Sequence, residues 1–203
     1  MVDLLKSATL LLVLLNPFLV IIYLVNMVES MGIKEFSKVL IHGALIASTV
    51  FCCFAILGDF IFSGIVQAEF ASFQIFGGVV FLLIGLQFVF RGPAAIEMLK
   101  GDSTGLAGAI AMPVLIGPGT ISACVIIGKR HEALAASLMI LLAVFISVLI
   151  MLMLKALHDY VRPRSEPLIK RYIEIAGRIT ALYVGTIAID MIMQGVRTWA
   201  GKF

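Results

Sequence analysis

Leu106-Ala-Gly-Ala-Ile-Ala-Met-Pro113-Val-Leu-Ile-Gly117-Pro118-Gly119-Thr120-Ile-Ser122-Ala-Cys124-Val-Ile-Ile-Gly128 is an uncharged, mostly apolar run, long enough to cross a bilayer as a helix. Its centre resists helix formation. Proline has no amide proton and its ring clashes with the carbonyl four residues back, so Pro118 frees the Val114 carbonyl. Gly117-Pro118 also reads as a helix start, with proline at the first helical position. The segment therefore predicts a membrane helix broken near its middle.

The same device stands in the first span. Residues 7–28 are apolar, and Asn16-Pro17 interrupts them centrally. Asn16 suits an N-cap, and Pro17 frees the Val13 carbonyl. Groups freed within hydrocarbon are tolerated where they line a cavity or meet another helix. Each break would open a half-helix at the midplane, with partly positive amides on Leu19 and Val20, and on Thr120 and Ile121.

Working outward, four more stretches reach spanning length: 39–63, 70–90, 133–157 and 173–195. Strand-like alternation is missing, which argues against a barrel. The connections are short, the longest lying around Lys155 to Tyr172. Composition agrees. The 203 residues are 62% hydrophobic and 13% charged, against about 25% charged for soluble domains, so a soluble enzyme, a disordered chain and a nucleic-acid binder are excluded. Cys52, Cys53 and Cys124 fall in apolar stretches and read as small buried residues.

Matched breaks in the first and fourth helices imply a three-helix repeat, and an odd repeat must be inverted in the membrane. The expected fold is an all-α membrane protein, one membrane domain over 1–203. Its six transmembrane helices form two inverted three-helix repeats, about 1–100 and 101–203, with helices 1 and 4 broken at the midplane. Pro17 and Pro118 set one register; Gln74-Ile75 against Arg178-Ile179 sets another. Lys34, Lys38, Arg91, Lys100, Lys155, Arg162, Arg164, Lys170 and Arg171 fall on one side; Lys6, Lys129, Arg130, Arg197 and Lys202 fall on the other. The positive-inside rule then places both termini outside.

Two half-helix N-termini facing each other suit a carboxylate, and freed carbonyls suit an ammonium. The substrate-binding candidates are therefore Asn16, Pro17, Gly117, Pro118, Gly119, Thr120 and Ser122. The plain alternative is a pair of proline kinks that only shape packing. Thr120 and Ser122 hydroxyls could reach a bound zwitterion or bond a neighbouring helix. Asp59 and Asp190 are coupling-ion candidates, or residues tolerated near the interface. Arg178 is a gate candidate, or the partner of Glu174 one turn earlier. His42, His131 and His158 lack ligand spacing, so no metal is expected, and no cofactor or nucleotide-binding motif is present.

Together these residues resemble the MarC family of membrane proteins. The run Pro113–Ser122 is similar to that family's most distinctive segment, and Asn16-Pro17 to its first-helix motif. Gly58-Asp59, the stretch from Ser72 to Gly78, and Arg178-Ile179 resemble further family positions. The resemblance implies six helices in two inverted halves, a bacterial or archaeal plasma (inner) membrane, and distant kinship with LysE-type exporters. For some relatives it implies transport of small neutral amino acids. The chain departs from the family pattern at Leu19 and Ile22, where glycine and proline are common, at Gln74, where arginine is common, and at Ala181, where glycine is common.

The expected function is secondary transport of a small neutral, zwitterionic amino acid, with proton or sodium coupling and a homo-oligomer both open to it. Its partners are the lipid bilayer and the substrate, and nucleic acid is excluded. The alternatives are a small-anion channel using the same half-helix ends and a non-transporting membrane assembly protein. An enzyme is not expected, since no nucleophile–base pair is visible.

Overall fold

The computed structural model describes residues 2–67, 69–91, 115–161 and 166–201. Among them there is no strand, only helices: α1 (Val2–Leu15), α2 (Pro17–Tyr23), α3 (Val25–Ser30), α4 (Ile33–Asp59), α5 (Phe70–Arg91), α6 (Pro118–Arg130), α7 (Ala133–Val161) and α8 (Glu166–Ala200). A π-helical turn, Phe60–Val66, continues α4.

Among the described residues, three helices are long and apolar enough to cross a membrane by themselves: Ile33–Gly58, Phe70–Gln87 and Ala133–Val161. The first and fourth spans fall short because they are broken. The first span is cut into α1, α2 and α3, and α6 has 13 residues because Pro118 starts it. The expected half of that span before Leu115, with Pro113, lies outside the described residues.

The two breaks differ. Asn16 adopts a left-handed conformation, φ 39°. Asparagine tolerates that region, and the proline that follows disfavours the right-handed helix at position 16. Yet one row of hydrogen bonds runs straight through. Asn16 N–H donates to Leu12 O, Val20 N–H to Asn16 O, Leu24 N–H to Val20 O, and Val28 N–H to Leu24 O, all at 2.8–3.1 Å. The first span is thus a kinked helix, and Asn16 is not the extended N-cap its sequence suggests. At α6 the backbone does start afresh: Gly117 is extended, with φ −112° and ψ 164°.

Two further expectations are corrected. The Val20 and Ile121 amides are paired, to Asn16 O and Gly117 O. A cap carbonyl takes the fourth helical amide, so the amides that a helix start leaves without a carbonyl of its own lie one residue earlier than the sequence suggests. Residues 155–161 and 166–172 of the expected connection are helical: α7 runs to Val161 and α8 starts at Glu166. Lys155 is therefore a helix residue.

The chain packs in two blocks. Leu11, Leu15, Val20, Phe36, Phe51, Leu115, Ile127 and Ile140 belong to one core that joins α1, α2, α4, α6 and α7. Beside it α5 and α8 run antiparallel in extensive contact, touching the first block through α5 against α6 and α8 against α2. Their seam is set by small residues at seven-residue spacing: Ala71, Gly78 and Gly85 on α5, and Ala181, Ala188 and Gly195 on α8. A Cβ at Gly78 would stand 2.7 Å from Ala188 O, and one at Gly195 2.8 Å from Ala71 O. Lipid offers apolar surface as readily as another helix does, so close backbone approach and van der Waals packing hold this pair together. The outer surface is correspondingly apolar, as at Phe145, Met153, Leu83 and Phe90.

Candidate functional site

The α6 break is the best-defined site. Gly117, Gly119 and Thr120 are buried and Pro118 is half-buried, although each contributes polar backbone. Thr120 resolves most of that cost. Its Oγ1 accepts the Gly117 N–H at 3.0 Å and donates toward Gly117 O at 2.9 Å and Leu115 O at 3.0 Å. A hydroxyl carries one proton, so it serves those carbonyls by turns. The hydroxyl expected to reach a ligand is used up in holding the break open.

Ser122 is the opposite case. It is 4% exposed, and its Oγ has no hydrogen-bond partner among the described residues. It lies three residues beyond Gly119, on the same side of α6. Native structures pair nearly all buried hydroxyls, so an unpaired one stands out; Ser147 Oγ on α7 is unpaired in the same way among the described residues.

Over the break lie three residues that the sequence did not single out for it. Gly77 of α5 is tight against the Pro118 ring. Phe81 closes on Gly117 and Gly119, where added Cβ atoms would stand 3.0 and 2.7 Å from the phenyl carbons. Met191 of α8 touches both sides: its Sδ would be 3.3 Å from a Cβ on Gly119, and its Cε 3.3 Å from one on Gly77. The positive end of α6 is therefore covered by an aromatic ring and a thioether. Gly77 had a sequence signal, as a glycine beside the span centre. Phe81 and Met191 had none, because nothing in their residue type sets them apart from other apolar residues.

The profile of the MarC family integral membrane proteins matches residues 1–200. The chain belongs to the MarC family. Similar to it are UPF0056 membrane proteins of two archaea. That of Methanocaldococcus jannaschii is 30% identical over 193 residues, covering 90% of each chain. That of Pyrococcus horikoshii is 24% identical over 194 residues, covering 95% of this chain and 93% of its own. A UPF0056 membrane protein of Aquifex aeolicus is 22% identical over 201 residues, with 95% and 91% covered. No solved structure matches. The protein is an integral membrane protein of a family with archaeal and bacterial members.

Other predicted residues of this MarC-family chain do not gather at the break. Asn16 is half-buried and Pro17 buried, at the kink between α1 and α2. Asp59 closes α4 where the π turn begins. Asp190 and Arg178 are exposed on α8, away from the face that carries Met191. Asp190 accepts a 2.7 Å hydrogen bond from Gln194 Nε2.

Two contacts tie the ends of the first span. Ser7 Oγ and His131 Nε2 are 3.2 Å apart, joining α1 to the corner between α6 and α7. At the opposite end of α7, Lys155 is 2% exposed, and its Nζ donates to Val28 O and to Asp159 Oδ1, each at 2.6 Å. Sequence reading took Lys155 for a loop charge. Its spacing four residues before Asp159 was the signal that it belongs to a helix.

Proposed function

We propose that the chain is a secondary transporter of small neutral amino acids, with the substrate carboxylate held at the start of α6. The unpaired Ser122 hydroxyl beneath a buried helix N-terminus carries the reading. The backbone amides of Gly119 and Thr120 head α6 and bear the partial positive charge of a helix start, which favours an anionic group. Phe81 and Met191 cover this end, so a ligand enters by displacing the ring. The space that one ring vacates limits the ligand to something small.

Two inverted three-helix repeats are supported by the chain's own correspondences. The helices α3 and α6 end at Ser30 and Arg130, and α4 and α7 begin at Ile33 and Ala133, each pair 100 residues apart. Buried positions agree at the same spacing: Phe36 with Ala136, Leu40 with Ile140, Ala44 with Val144, Phe51 with Met151, and Ala55 with Lys155. Contacts pair up likewise, α5 against α6 answering α8 against α2, and α4 against α6 answering α1 and α2 against α7. On this reading six spans form a single membrane domain that performs no covalent chemistry. With Lys155 removed from the loop charges, the side bearing Lys34 and Arg171 still holds more Lys and Arg than the side bearing Lys129 and Arg130. That balance supports outside termini.

Purified protein in liposomes should exchange labelled alanine or glycine with saturation. Absence of flux for a broad amino-acid panel, in both directions and under imposed sodium or proton gradients, would overturn the reading.

A further inference from the structure

Helix α8 has two faces of opposite character. Ala181, Val184, Ala188, Met191 and Gly195 are buried on the side toward α5. Tyr183, Thr186, Asp190, Gln194 and Arg197 are exposed, and their steps of three and four residues place them in one stripe along the helix. Within it, Gln194 Nε2 donates to Asp190 Oδ2 and Thr186 Oγ1 donates to Leu182 O.

This stripe lies deep. Trp199 and Arg197 end α8 in the way aromatic and cationic residues mark a membrane interface. Asp190 is nine residues before Trp199, about 14 Å further in at 1.5 Å per residue, and half the hydrocarbon core is about 15 Å. Its neighbour Met191 touches Gly77 and Gly119, so Asp190 stands level with the α6 break. The outward faces of α5 and α7 are apolar at this depth, with Phe76, Val79 and Leu83 on α5 and Leu141, Phe145 and Leu149 on α7. A carboxylate inside a span faces a partner or water, since hydrocarbon offers it nothing.

We propose that this stripe of α8 is the contact between two copies of the chain, related by a two-fold axis along the membrane normal. Copies inserted in the same direction meet at equal depth under such an axis, so the two Asp190 positions come level. The Gln194 side-chain amide of each copy reaches back to its own Asp190 at 2.7 Å, so that amide lies at the same level and faces the carboxylate across the axis. The chemistry is self-complementary. After its bond within the helix, Asp190 retains Oδ1 as an acceptor and Gln194 retains an amide N–H and its carbonyl oxygen. Two copies therefore exchange a pair of Gln194-to-Asp190 hydrogen bonds and remove both carboxylates from lipid. The exposed Leu182, Ile189 and Met193 flank the stripe and fill the contact around it.

The test uses the full chain in native membranes with Cys52, Cys53 and Cys124 replaced, and single cysteines scanned from Tyr183 to Arg197, with Val79→Cys and Leu141→Cys as controls. Oxidation should give cross-linked dimer peaking at 183, 186 and 197, less at 190 and 194, where the cysteine removes a side chain that makes the contact, and background only at 79 and 141. Adding Asp190→Leu to Thr186→Cys should abolish the dimer while the protein stays in the membrane at its usual level. Equal cross-linking at the control positions would overturn the proposal. So would stripe cysteines that form no dimer, whether or not they react with a membrane-impermeant thiol reagent, a reaction that would instead mark a water-filled crevice.

Discussion

The Phe81 ring closes on Gly119 so tightly that a Cβ at position 119 would stand 2.7 Å from Phe81 Cε2. Overpacking of this kind costs about 1–3 kcal/mol. Gly119→Ala should therefore lower the thermal unfolding midpoint in detergent, and Phe81→Leu in the same chain should restore much of it. An additive double variant would show that the ring and the glycine do not press on each other. Because the ring covers the start of α6, Phe81→Leu alone should also raise amino-acid flux, or lower KM, in liposomes.

Thr120 is a cap, which separates it from a ligand contact. Thr120→Val keeps the shape but leaves the buried Gly117 amide without its acceptor. Such an orphan costs about 1–3 kcal/mol. Thr120→Ser should keep stability near that of the parent chain. Ser122→Ala removes a hydroxyl that has no partner among the described residues, so it should leave stability unchanged and weaken transport. Unfolding and flux measured on the same three variants check this, and a Ser122→Ala chain with unchanged KM would remove Ser122 from the site.

Asn16 should show a conformational requirement. Its φ of 39° lies where asparagine and glycine are at ease and a β-branched residue is strained. Asn16→Gly should retain the folded protein, whereas Asn16→Val should lose about 1–2 kcal/mol, the penalty for a left-handed residue. Equal stability of the two variants, measured by thermal unfolding, would mean that the kink rests on Pro17 alone.

How far these residues were legible follows from their chemistry. Pro17 and Pro118 announce their breaks, because a missing amide proton acts wherever proline stands. The kind of break was not legible. Asn16 can cap a helix or adopt the left-handed region, and only the row of bonds from Leu12 to Val28 decides between them. Spans rich in leucine and isoleucine announce themselves by length, as in α4 and α7. What lies over a break is set by contacts between α5, α6 and α8, far apart in sequence, so Phe81 and Met191 were invisible. Lys155 was misplaced because a charge at the end of an apolar run looks like a loop residue until its helix is seen to continue.

That lysine supplies the last expectation. Its Nζ bonds a carbonyl in the last turn of α3, where the helix end is negative, and it also bonds Asp159. Asp159 is 41% exposed and can be solvated without the lysine, whereas Lys155 is 2% exposed and cannot do without its partners. Lys155→Met should therefore cost more than Asp159→Asn, about 1.5–3 kcal/mol for a hydrogen bond to a charged group against under about 1 kcal/mol for a half-exposed pair. The Val28 bond survives in Asp159→Asn, so α3 should stay fastened to α7 in that variant and come loose in Lys155→Met. Protease accessibility of the segment around Ser30, measured beside the unfolding midpoint, reads that difference. Equal losses in the two variants would show that the ion pair, and not the carbonyl, holds this end of the first span.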